Sequence, residues 1–165
     1  GIGKGYAVDQ AYSFLRDAGL YNFYVNGSGD IRVHSKKDAP RQWRVGIRNP
    51  FSKDKEKSVG VVQLSSGSIS TSGSYVQFNP VENSSLKFDD HHIISASTGS
   101  SCSEVVSATV LSEDCITSDS TGTILMNMSP KDAISYLDEQ GLIGFVINQS
   151  GETSMSQRAL NRFGI

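Results

Sequence analysis

Five strand-like segments succeed one another between Leu20 and Ser72 with no helical pattern between them: LYNFYVN, DIRVH, QWRVGIR, SVGVVQL and SISTS. They are divided by stretches of turn composition, among them NGSGD, NPFSKDKEK and SSG. Strands laid down in succession pair through turns and run antiparallel. Parallel pairing would need a crossover helix between each two. SEVVSATVL, rich in β-branched residues, is a further strand, and LIGFVIN is a final buried one. QSGETSMS reads as a hairpin turn leading to a last short strand. The pattern predicts an α+β fold, a mainly antiparallel sheet with helices packed on one face.

Three segments carry helical signals. Ala7, Ala11, Phe14, Leu15 and Ala18 form an apolar stripe at helical spacing, with Gly19 as the terminating residue. SDSTGTILMNM is a helix entered from a polar turn. SPKDAISYLDEQG is fully punctuated, with Ser129 as N-cap, Pro130 at the first helical position, Asp132 in the first turn and Gly141 at the close.

A chain of 165 residues is long enough for one domain, 1–165, with a real core. Its apolar content of 37%, with abundant Gly and Ser, fits short elements and long loops rather than a helical bundle. The net charge of −2 and the lack of a basic, aromatic-laced stripe argue against nucleic acid as a partner. SKDKEKS mixes both signs and reads as a solvated loop. No apolar run reaches membrane-spanning length. Cys102 and Cys115 lack metal-site spacing; free thiols or a disulfide both remain open.

Several stretches can bear chemistry. In GIGKG, glycines in a turn before a helix let backbone N–H groups approach an anion, the helix N-terminus favours negative charge, and Lys4 adds a point charge. The same run also reads as a flexible start to a helix. NGSGDI, Asn26 to Ile31, is a tight hairpin turn or a backbone approach to a ligand, and TSGSY, Thr71 to Tyr75, offers hydroxyls and close backbone. His91 and His92 are adjacent, so on a strand they face opposite ways and cannot both bind one metal. Asp119 and Thr123 share a helical face, a carboxylate and a hydroxyl of the kind Mg2+ accepts, although two ligands do not make a site.

Taken in order, GIGKGYAVDQA, NGSGDI, WRVGIRNP, ISTSGSY, HHIISASTG, SATV and SDSTGT resemble the C-terminal half of the ApbE family, the FAD:protein FMN transferases. The resemblance runs from Gly1 to about Gly151. It implies an α+β fold related to the T-fold, FAD as substrate in a cleft, and Mg2+ on the pyrophosphate. The implied reaction attaches FMN to a threonine of an acceptor protein and releases AMP. Some members instead hydrolyse FAD, so an FAD pyrophosphatase or a flavin-binding module is the alternative.

The resemblance assigns roles position by position. Lys4 contacts FAD. The Gly1 carbonyl, Asp119 and Thr123 are metal ligands. Ile94 lines the flavin nucleotide, and His92 handles a proton or a phosphate; the base for the acceptor hydroxyl is His92 or Asp119. Asn26, Gly29 and Asp30 fall on the family's glycine turn, where Ser28 replaces a glycine, and Thr71, Ser72 and Gly73 on its T-S-G loop. Ser95 and Ala96 depart from the family's Asp-Pro.

It further implies that Gly1 lies inside a longer transferase whose N-terminal half, in the same or a separate chain, completes the FAD cleft. The expected fragment is weak or inactive alone. The expected acceptor is a flavoprotein subunit of an electron-transfer complex, and the expected location is the periplasm or a membrane anchor facing it, although these residues show no anchor.

Overall fold

The computed structural model describes residues 2–52, 54, 57–73 and 104–163. Helix α1, Gly3–Asp17, is followed by five strands: β1 Phe23–Gly27, β2 Asp30–His34, β3 Trp43–Arg48, β4 Ser58–Leu64 and β5 Gly67–Gly73. Next come β6 Val105–Ser112, α2 Cys115–Leu125, α3 Pro130–Glu139, β7 Ile143–Asn148, β8 Thr153–Met155 and α4 Gln157–Phe163. Six strands form one antiparallel sheet in the order β1-β2-β5-β6-β7-β8, and β3 and β4 pair as a separate hairpin. The predicted α+β class is the observed one.

Period-2 alternation divides the sheet between two cores. On one face Val105, Ala108, Val110 and Val146 pack against Leu125 and Met126 at the end of α2 and Ala133 and Leu137 of α3. On the other, Val33, Ile69, Leu111 and Phe145 meet Ile47, Val62 and Leu64 of the β3–β4 hairpin. The sheet is therefore covered on both sides, by α2 and α3 on one and by the hairpin, with Phe163 of α4 packed beside it, on the other.

The helix caps follow the sequence closely at α3. Ser129 accepts from the Asp132 N–H at 3.2 Å, Pro130 occupies the first turn, and Gly141 takes a left-handed φ of 62°. In α1 the Gly19 N–H donates to Arg16 O and the Leu20 N–H to Leu15 O, the paired bonds of a Schellman close around a φ of 80°. The buried face of α1 is not the predicted stripe. Phe14 is 73% exposed, and the residues turned inward are Gly5, Val8, Asp9 and Tyr12. Hydropathy counts a glycine and a carboxylate against burial. Here the glycine lets α2 approach, and the carboxylate is buried with hydrogen-bond partners. Helix α2 starts at Cys115, ahead of Ser118, because Asp114 serves as N-cap and accepts from the Thr117 N–H at 2.8 Å.

The β1–β2 turn shows a local cost. Ser28 (φ 59°) and Gly29 (φ 102°) both lie in the left-handed region, as a two-residue hairpin of this hand requires. Glycine meets that demand freely and serine does not. Ser28→Gly is expected to stabilise the protein by about 0.5–1 kcal/mol, less than the full left-handed penalty because glycine also loosens the unfolded chain. Chemical denaturation of the two proteins measures it, and a less stable glycine variant would contradict it.

Candidate functional site

The sequence GIGKG does not form a loop ahead of α1; its residues from Gly3 onward are the first turn of the helix. The Gly5 N–H, a donor that the helix itself leaves unpaired, donates to Asp119 Oδ2 at 2.8 Å. Asp119 is 3% exposed. Gly5 is packed directly on α2: a Cβ there would stand 2.6 Å from the Cys115 carbonyl oxygen and 2.9 Å from Asp119 Cβ. This glycine serves helix-to-helix approach.

Lys4 extends to the far side of the same turn and forms an ion pair with Asp30 Oδ2 at the start of β2. Asp30 is 2% exposed, and a carboxylate buried so deeply needs a counter-charge. The Lys4 side chain keeps 56% of its exposure and so still faces the surface. Beside it, Asn26 Oδ1 accepts from the Gly29 N–H at 2.9 Å and steadies the β1–β2 turn. Gly27 lies against α1, where a Cβ would come within 2.6 Å of Val8 Cγ2. A shallow cleft of about 280 Å3 opens here, lined by Lys4, Ala7, Val8, Val25, Gly27 and Ser28.

Thr71, Ser72 and Gly73 are the end of strand β5, paired with Thr109, Ala108 and Ser107 of β6, rather than a loop. Thr71 and Ser72 consequently face opposite sides of the sheet. Thr71 Oγ1 is 3.0 Å from Thr109 Oγ1, whereas Ser72 looks toward α2, 2.9 Å from where a Cβ on Gly122 would lie. Gly122 directly precedes Thr123, whose hydroxyl bonds back to the Asp119 carbonyl at 3.3 Å. Lys4, Asp30 and Asp119 thus gather around the first turn of α1, and Ser72 and Thr123 border α2 one turn beyond Asp119. Gly1, His92 and Ile94, like His91, Ser95, Ala96 and Cys102, lie outside the described residues. Among the described residues no three His, Cys, Asp or Glu side chains converge as a metal cluster.

Between α2 and β5 the packing is polar. Ser118 Oγ is 3.1 Å from Ser68 Oγ and 2.9 Å from Ser70 Oγ, and all three residues are buried. Small hydroxyl side chains let α2 lie close on the strand. Cys115 is a free, buried thiol in the same seam; burial, with Asp30 and Asp9 nearby, pushes its pKa up to about 11, so it stays a neutral, unreactive thiol.

One group escaped the reading of the sequence. Asp9, 6% exposed, accepts from the Cys115 and Ile116 N–H groups at the start of α2 and from Arg32. Its signal was its position, four residues after Gly5 and so on the same helical face.

A profile of the ApbE family matches residues 1–147. The chain belongs to the ApbE family. The FAD:protein FMN transferase of Klebsiella pneumoniae is 29% identical over 153 residues, which cover 92% of this chain and 42% of that protein. The ApbE protein of Thermotoga maritima superimposes with a TM-score of 0.82 at 26% identity, over 95% of this chain and 50% of that one. The flavin transferase ApbE of Vibrio cholerae does so with a TM-score of 0.71 at 26% identity, over 94% and 49%. This ApbE chain therefore spans roughly half the length of the solved structures it matches and less than half of the Klebsiella relative. No helix among its described residues is long and apolar enough to cross a membrane.

Proposed function

We propose that this ApbE chain forms the metal- and pyrophosphate-binding part of an FAD:protein FMN transferase. The observation that carries the reading is the buried Asp119 carboxylate bound at Gly5 in the first turn of α1, the turn that also carries Lys4, and on a helical face shared with Thr123. Its support from relatives is that they are named for that activity.

The donor set suits Mg2+, which takes hard oxygen ligands. Oδ2 of Asp119 is fixed by the Gly5 N–H, and Oδ1 accepts no hydrogen bond from the described residues. Asp119 Oδ1, the Thr123 hydroxyl and the Gly1 carbonyl would hold the ion. When bound, Mg2+ neutralises pyrophosphate charge and polarises the phosphorus. Lys4 and the first turn of α1 add positive potential where the pyrophosphate would lie. The acceptor threonine oxygen forms its bond to the FMN-side phosphorus as the pyrophosphate P–O bond breaks and AMP leaves. The hydroxyl proton passes to His92 or Asp119, since a neutral hydroxyl is a weak nucleophile. The turn at Asn26, Gly29 and Asp30, the strand end at Thr71, Ser72 and Gly73, and Ile94 would complete the nucleotide contacts. The remaining length found in relatives, in the same or a separate chain, would supply the rest of the cleft. The acceptor would be a flavoprotein subunit of an electron-transfer complex, with the reaction in the periplasm.

The test incubates the full-length protein with FAD, Mg2+ and a flavin-accepting protein. A fluorescent acceptor band in a denaturing gel, lost when EDTA is added, is the expected result. Free FMN and AMP without a band would instead establish an FAD pyrophosphatase, and neither product would reduce the chain to a binding module.

A further inference from the structure

The two helices that carry the candidate site cap each other. Asp9 Oδ1 accepts from the Cys115 N–H at 2.9 Å and from Arg32 Nη1 at 2.7 Å, and Oδ2 accepts from the Ile116 N–H at 2.9 Å. Cys115 and Ile116 open α2, so these are donors that the helix cannot satisfy itself. In return, Asp119 of α2 takes the Gly5 N–H in the first turn of α1. The pairs 5 with 119 and 9 with 115 and 116 run in opposite senses. The helices are antiparallel, and each is closed by the other's carboxylate.

Asp9 is not needed to start α2, because Asp114 already caps it from within its own chain segment. What Asp9 adds is the link between helices. Arg32 tightens that link. Its guanidinium bonds Asp9 and lies 3.9 Å from the centroid of the Tyr12 ring, which is also on α1. Strand β2 therefore grips α1 twice, through Arg32 at Asp9 and through Asp30 at Lys4.

We propose that Asp9, held by Arg32, is a positioning residue for the metal and pyrophosphate site. It fixes α2 along α1 so that the Asp119 carboxylate stays at Gly5, in the turn that carries Lys4. This rests on the function proposed above. Without the Asp9 clasp, the contact of α2 with the first turn of α1 keeps the Asp119 bond and the close packing at Gly5, which hold the helices together but fix the Asp119 carboxylate less tightly along α1. An error of about 1 Å at a reacting group costs on the order of a hundredfold in rate.

The experiment compares the full-length wild type with Asp9→Asn and Arg32→Lys. Mn2+ is titrated in the presence of saturating FAD and followed by electron paramagnetic resonance, well below each protein's melting temperature. Mg2+ activation, kcat and the KM for FAD are measured alongside. The Mn2+ dissociation constant should rise about tenfold or more in Asp9→Asn. Its Mg2+ requirement should rise in parallel and kcat should fall more than KM changes. Arg32→Lys, which keeps the charge and both N–H bonds of Asp9, should show a smaller shift in the same direction. It carries the test alone if Asp9→Asn does not fold. Unaltered Mn2+ affinity and Mg2+ activation in the folded variants, with only a lower melting temperature, would reduce Asp9 to a structural residue and overturn the proposal. A wild type with no saturable Mn2+ site would overturn the metal reading and this proposal with it.

Discussion

Asp119→Asn in the full-length protein is expected to lower the proposed FMN transfer by about a hundredfold or more while leaving the fold nearly as stable as before. The rate loss follows from removing the one charged ligand of the proposed cation and a share of the charge balance on the pyrophosphate. The fold survives because an amide oxygen can still accept from the Gly5 N–H, which the carboxylate now accepts at 2.8 Å. Losing the negative charge at a helix N-terminus costs roughly 0.3–1 kcal/mol, and relief from burying a charge offsets part of that. Asp119→Ala confounds the two effects, because it also deletes the cap, a loss of about 1 kcal/mol. Rates at saturating Mg2+, paired with thermal melts, separate the outcomes. An asparagine variant with near-normal turnover would remove Asp119 from the metal site.

The second large effect is steric. Gly5→Ala gains about 1 kcal/mol of helix propensity, since alanine is the better helix former. Against this stands a Cβ placed 2.6 Å from the Cys115 carbonyl oxygen and 2.9 Å from its carbonyl carbon. Both are backbone atoms and cannot rotate aside, so α1 and α2 must separate. Overpacking of this kind costs about 1–3 kcal/mol, and the upper end, about 3 kcal/mol, applies where fixed backbone is the obstacle. The clash therefore outweighs the propensity, with a net loss of about 2 kcal/mol and a fall of roughly 4–8 °C in melting temperature. Gly3→Ala is the control, because nothing lies within 4 Å of its added Cβ. It should be neutral or slightly stabilising. Equal effects at the two positions would show that propensity, and not helix contact, governs this turn.

The contrast between these glycines marks how far the sequence could be read. GIGKG suggested a turn for an anion, yet its glycines have different tasks. Gly5 admits α2, and Gly3 meets no such obstacle. Likewise, Thr71 to Gly73 have the composition of a loop but continue β5, because β6 offers them a ladder to pair with. Asp9 looked like one polar residue in a helical pattern. Its importance depends on Cys115 and Ile116, more than a hundred positions away along the chain. That Ser68, Ser70 and Ser118 pack on one another left no mark in the sequence, since a hydroxyl suits a solvent-facing strand or helix as well as a close-packed seam.

Local rules were sufficient elsewhere. Short apolar segments and turn residues located the strands and their antiparallel sense, though not that β2 pairs with β5 across the separate β3–β4 hairpin, and Ser129, Pro130 and Gly141 determined the limits of α3. These depend on a residue's own backbone preference and its near neighbours, so they can be read from order alone. The tertiary structure decided which face of α1 is buried, how α1 and α2 cap each other, and how Lys4, Asp30 and Asp119 come together. Those outcomes depend on close approach and on pairing buried charge, which only distant residues brought side by side can provide.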